Sequence, residues 1–212
     1  MSFSADLRRA ADPIWQAQHD HPMVRGIGDG TVDRERFERW VRQDYRFLLE
    51  YCRAFALAAA RSPDLATLRR FAELLRATAV TEMDLHRSYA AGFGITPDDL
   101  EAEEMAAVTR GYTDFLLRTA AIGDFAELAA ALLPCMWGYN EIGLRLAERG
   151  RPGDERCAAW VDAYADPAFT ELAGWCRGLV DRLADDAGTG GRSRMRDAFL
   201  VSSRYELAFW DV

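Results

Sequence analysis

Apolar residues recur along this chain at alternating steps of three and four, the spacing that gathers side chains on one side of an α-helix. The longest such stripe, within LAAALLPCMWGYNEIGLRL, runs Leu128, Leu132, Cys135, Tyr139, Ile142, Leu146. It predicts a buried helix over 128–146 that turns a thiol and a phenol inward together. Pro134 lacks an N–H and crowds the preceding turn, so it should kink or break this helix just before the cysteine. A second stripe, Phe37, Trp40, Asp44, Phe47, Tyr51, Phe55, predicts a helix over 33–61. A third, Met105, Val108, Tyr112, Phe115, Thr119, Ile122, places Tyr112 at the centre of a helix over 103–122. The last, Met195, Phe199, Ser202, Glu206, Phe209, follows the glycine-rich run 188–191, which reads as a linker.

The remaining segments fall between these. Residues 5–18 read as a short amphipathic helix bent at Pro13, and His21-Pro22 with the following GIGDG reads as a loop. Ser62-Pro63-Asp64 ends one helix and caps the next, which runs to about residue 91. TPDDL starts a single turn, 154–164 a short helix, and 167–187 another amphipathic one. Sustained apolar–polar alternation is absent, so the pattern predicts an all-α, single-domain helical bundle over residues 1–212.

Composition narrows the function classes. Half of the 212 residues are hydrophobic, enough for a sizeable core, and 26 basic against 34 acidic residues give a net charge of −8. No basic stripe is available for a phosphate backbone, so nucleic acid is not an expected partner. No apolar run reaches the length of a membrane span, and charges interrupt the N-terminus, so the protein is expected in the cytoplasm and off the membrane. Cys52, Cys135, Cys157 and Cys176 form no CxxC pair and are expected to be reduced thiols. GxGxxG, GxxxxGK, HExxH and GxSxG motifs are missing.

The candidate chemistry lies where the apolar stripes carry the wrong residues. Asp44 among five aromatic positions, and Glu206 between Ser202 and Phe209, are carboxylates that must be desolvated, which is costly unless something bonds them. A Tyr or Arg of a neighbouring helix is the bland partner for Asp44; a ligand is the other. Glu82 and His86 are one turn apart, but two side chains make half a metal site, and a structural hydrogen bond is the expected use. Asp44, Tyr112, Cys135 with Tyr139, and Glu206 would suit a flat nitrogen heterocycle, with Phe47, Tyr51 and Tyr139 as aromatic clamps. Beside them a thiol could attack the ring and a carboxyl could carry its proton.

On these residues the chain resembles the TenA, or thiaminase II, family, whose fold is heme-oxygenase-like. The resemblance spans nearly the whole length and rests on QDYRFL at 43–48, TEMDLH at 81–86, PCMWGYNEIG at 134–143, WVDAYAD at 160–166 and RYELAFWD at 204–211. It implies a cysteine nucleophile at Cys135, a catalytic glutamate at Glu206, a pyrimidine-binding aspartate at Asp44, and pocket tyrosines at Tyr112, Tyr139 and Tyr164. Phe47 stands where some relatives carry tyrosine. The implied activity is hydrolysis of thiamin-derived aminopyrimidines, or of thiamin, in thiamin salvage. No metal or organic cofactor is implied, and the implied assembly is a homotetramer. Two alternatives remain at this point: a non-enzymatic pyrimidine-binding or regulatory protein, and an iron- or heme-binding oxidative member of the same fold.

Overall fold

The structure is a computed structural model that describes residues 2–212. Every regular element among the described residues is helical, and none is long and apolar enough to cross a membrane. The chain divides into two compact units. One comprises residues 2–33 with Ala126–Asp211, and the other Arg34–Phe125.

The first unit opens with α1 (Phe3–Ala10), α2 (Asp12–His19) and α3 (Pro22–Asp29). The single bent helix expected over 5–18 is thus two helices, with Pro13 in the first turn of α2, where its missing N–H costs nothing. The expected loop after His21 is helical as well. The Nδ1 of His21 caps the start by accepting the Met23 N–H, and Gly30, at φ 68°, ends it in the left-handed region. Glycine at 26 serves close packing there: a Cβ would lie 2.9 Å from the Val32 Cα.

The same unit holds α9 (Phe125–Glu148) from Ala126 onward, α10 (Glu155–Tyr164), α11 (Pro167–Asp186) and α12 (Thr189–Phe209). The expected linker over 188–191 is already helix from Thr189. Trp15 of α2 ties the unit together: its Nε1 donates to Ser203 Oγ at 3.0 Å, and its ring lies edge-on to Trp137 and stacked on Phe199. Glu141 of α9 accepts both arms of Arg8 at 2.7 and 3.2 Å and meets His19 Nε2 at 2.9 Å, which fixes α1 and α2 to α9. Burial of each large side chain here, such as Trp15 or Phe199, contributes about 1.5–3 kcal/mol.

The second unit is built on α4 (Arg34–Ala60), which buries Phe37, Trp40, Asp44, Phe47, Tyr51 and Phe55 on one face, as its stripe predicts. Asp64 caps α5 (Leu65–Arg76), accepting the Thr67 N–H at 2.8 Å. The helical run then widens into a π-helical turn, Ala77–Glu82, before α6 (Met83–Gly92). α7 (Pro97–Ala102) starts on a capping box between Thr96 and Asp99.

α8 (Ala107–Ile122) begins later than the expected residue 103. Gln43 of α4, itself buried, explains the delay. Its Oε1 accepts the Ala106 N–H at 2.8 Å and the Thr109 hydroxyl at 2.7 Å, and its Nε2 donates to the Glu104 carbonyl at 2.9 Å. These bonds satisfy the backbone of 104–106 outside a helix. At the other end of α8, Arg61 donates to the carbonyls of Ala120 and Gly123, where a cation complements the helix dipole.

Candidate active site

The residues singled out in the sequence fall into two sets, one within each unit. Cys135, Tyr139, Tyr164 and Glu206 belong to the first unit; Asp44, Phe47, Tyr51 and Tyr112 belong to the second.

In the first set, α9 passes through Pro134 continuously, so of the expected kink or break the break does not occur. Ser202 Oγ of α12 donates to the Ala131 carbonyl at 2.7 Å, one residue beyond the Ala130 carbonyl whose helical donor Pro134 lacks. Eight residues further along both helices, Tyr139 stacks on Trp210 with ring centroids 5.3 Å apart. Cys135 lies one turn from each of the α9 contacts, and Glu206 one turn from each contact on the α12 side. The thiol and the carboxyl therefore occupy the intervening turns of one helix–helix contact. Glu206 is 2% exposed.

Every residue from Leu128 to Asn140 is buried except Cys135, which is partly accessible. Two of the other cysteines are disfavoured as thiolates. Burial, reinforced by the charge of Glu82, pushes the Cys52 thiol up to about 11. Burial and then Asp154 do the same for Cys157, while Cys176 is buried.

Tyr164 is held at the end of α10 by two features of α9. Asn140 Nδ2 donates to the Tyr164 carbonyl at 3.0 Å, and Gly143 lets the backbones touch. Its ring then packs 5.0 Å from Tyr139 and 4.5 Å from Trp160, and Trp160 lies 5.9 Å from Tyr139. Trp160 and Trp210 thus join the predicted tyrosines in one aromatic box. Both tryptophans sit in the recognised sequence stretches, but neither stood out there, because an aromatic residue on an apolar face reads as packing.

In the second set, Phe47 stacks on Tyr51 at 5.2 Å and on Tyr112 of α8 at 4.9 Å, so three of the predicted aromatic residues form one cluster. Asp44 lies on the same face of α4, 3% exposed. Its partner is neither Tyr nor Arg but His86 of α6, whose Nε2 is 2.5 Å from Asp44 Oδ2. The His86 Nδ1 donates to the Glu82 backbone carbonyl at 2.9 Å; the one-turn spacing is used through the backbone rather than the carboxylate. Burial opposes a charged ring at His86, but the Asp44 carboxylate, its hydrogen bond and Glu82 together hold its pKa above the usual value. Among the described residues no three His, Cys, Asp or Glu side chains gather as a metal site.

Comparison with known proteins adds independent findings. The family model described as TENA/THI-4/PQQC matches residues 8–212. An aminopyrimidine aminohydrolase of Halalkalibacterium halodurans is 42% identical over all of this chain and 95% of its own length. The solved structure of a TenA homologue from P. horikoshii OT3 superposes with a TM-score of 0.91 at 29% identity, covering 100% of this chain and 97% of that one. A protein of Shewanella denitrificans with a heme oxygenase-like fold superposes with a TM-score of 0.74 at 14% identity over 98% of this chain and 90% of its own, a likeness of fold alone.

Proposed function

This chain belongs to the TENA/THI-4/PQQC family, and from that premise we propose that it is an aminopyrimidine aminohydrolase acting in thiamin salvage, with Cys135 as its nucleophile. The observation that carries the cysteine role is its exposure: it alone is accessible along an otherwise buried stretch of α9, level with a buried carboxyl on α12. The name and full-length likeness of the H. halodurans relative support the substrate class.

The proposed cycle begins with the Cys135 thiolate forming a carbon–sulfur bond to the pyrimidine ring of 4-amino-5-aminomethyl-2-methylpyrimidine. The carbon–nitrogen bond of the exocyclic methylene then breaks, and Glu206 gives the leaving amine its proton, so ammonia departs. Water adds to the methylene, returning a proton to Glu206, and the sulfur leaves as thiolate. The sum is substrate plus water giving hydroxymethyl pyrimidine plus ammonia. The sequence resemblance supports pyrimidine-binding roles for Asp44, Tyr112, Tyr139 and Tyr164, and the aromatic faces of Phe47 and Tyr51 suit a flat ring. With thiamin the leaving group is the thiazole instead. The family resemblance also supports a homotetramer working in the cytoplasm.

A side-by-side assay of the purified protein on the aminopyrimidine and on thiamin tests this reading. Release of hydroxymethyl pyrimidine from the aminopyrimidine is the expected result, and no turnover of either compound would contradict it.

A further inference from the structure

The Asp44–His86 pair has a fixed proton inventory. The Glu82 carbonyl can only accept, so the His86 Nδ1 that faces it at 2.9 Å carries a hydrogen. Nε2 and Asp44 Oδ2 lie 2.5 Å apart, which requires one proton between them. Whether that proton is drawn on the ring or on the carboxyl, the pair is neutral overall. Loss of the shared proton would set a ring lone pair against a carboxylate in a site where His86 is fully buried.

The surroundings enforce this arrangement. Trp40 lies 5.7 Å and Tyr89 5.9 Å from the imidazole, ring centroid to ring centroid, so the ring is walled by aromatic side chains. The charged groups that act on it are Asp44 from α4 and Glu82 from its own helical run. On α7, which also packs against α6, Asp99 is occupied by Thr96. The π-helical turn ends at Glu82, immediately before α6 and one turn before His86, so the widened backbone delivers the carbonyl that fixes the tautomer. Asp44 Oδ1 has no hydrogen-bond partner among the described residues.

We propose that His86 is a positioning residue for aminopyrimidine recognition: it holds Asp44 through Oδ2 with a single shared proton and leaves Oδ1 as the oxygen that accepts the amino N–H of the ring. The inference rests on the aminopyrimidine reading of the site. It adds a residue that touches no substrate and acts only through Asp44. Glutamine at 86 can still donate a hydrogen bond toward Oδ2 but has no proton to lose.

Calorimetric titration with hydroxymethyl pyrimidine, which lacks the titrating amine of the substrate, is carried out from neutral to alkaline pH on the wild type and His86→Gln. The wild type should lose about tenfold in affinity as the pair gives up its shared proton above the ordinary histidine range. His86→Gln should bind about tenfold more weakly at neutral pH and show no alkaline loss. A wild type without the alkaline loss, or a variant that retains it at any affinity, overturns the proposal. If His86→Gln does not fold, nitrogen NMR of the three histidines in the wild type decides instead. A proton on His86 Nδ1 at every pH with titration above the ordinary range is expected, and an unprotonated Nδ1 or ordinary titration overturns it. Failure of the wild type to bind or turn over any pyrimidine would contradict the function while leaving the NMR test of the pair standing.

Discussion

Gly143 and Tyr164 touch through their backbones: a Cβ on residue 143 would lie 2.6 Å from the Tyr164 carbonyl carbon and 2.9 Å from the Ala165 nitrogen. Backbone cannot step aside as a flexible side chain does, so Gly143→Ala must separate α9 from the end of α10. We expect a loss of about 1–3 kcal/mol in unfolding free energy. Because Tyr164 moves away from Tyr139, weaker pyrimidine binding should accompany it. Denaturant titration and calorimetry check both; unchanged stability and unchanged binding would show that the contact is slack.

Gln43 offers a test of how the start of α8 is set. Gln43→Ala removes the acceptor for the Ala106 N–H and the Thr109 hydroxyl and the donor to the Glu104 carbonyl. A cost of about 1–3 kcal/mol is expected from the buried groups left unmade. Hydrogen exchange at the Ala106 amide should accelerate markedly while amides in the middle of α4 keep their protection.

Glu141 gives the fold an acid limb. Burial pushes its carboxyl up, but hydrogen bonds from His19 and Arg8, together with their charges, more than reverse this and hold it at about 2, against an ordinary 4.5. A depressed folded-state pKa contributes stability that is fully present above the unfolded value and is lost as pH falls through the folded one. Glu141→Gln should therefore be less stable than wild type near neutrality, by on the order of 2 kcal/mol after solvent screening. The gap should close as pH drops from about 4.5 toward 2. Thermal unfolding of both proteins across that range checks the sign; a gap that widened in acid would contradict it.

Glu206→Gln keeps the shape of a buried side chain but cannot carry a proton. If Glu206 serves the leaving amine and the incoming water, kcat should fall at least about a hundredfold with little change in KM. A loss confined to KM would make it a binding residue instead.

The helices were largely legible because their apolar stripes are strict: the faces of α4, α9 and α12 are buried much as the spacing of three and four requires, whereas α8 keeps only Tyr112 and Thr119 of its expected stripe buried, turns Thr109, Thr113, Leu116 and Ala120 inward and leaves Ile122 70% exposed. Errors cluster where one residue type has two uses. The glycines of GIGDG and GTGG read as loop and linker, yet Gly26 serves close packing inside α3 and the run 189–191 opens α12. Pro134 reads as a residue that kinks or breaks a helix, yet α9 runs through it without a break. For the site, Asp44 and Glu206 announced themselves as carboxylates on apolar faces, while the partner of Asp44 did not. His86 lies on a different helix, and spacing along one helix says nothing of which residue meets it from another. The π-helical turn was equally hidden, since ATAVTE carries no breaker and fits an ordinary helix.

The central claim is that Cys135 is the nucleophile. Its most direct test is the rate of ammonia release from 4-amino-5-aminomethyl-2-methylpyrimidine by Cys135→Ala beside wild type, with circular dichroism of both to compare folding. A fall of at least about a thousandfold in a normally folded variant is the result expected for loss of a covalent nucleophile. Retention of most of the wild-type rate would show that the thiol is not the group that attacks the ring.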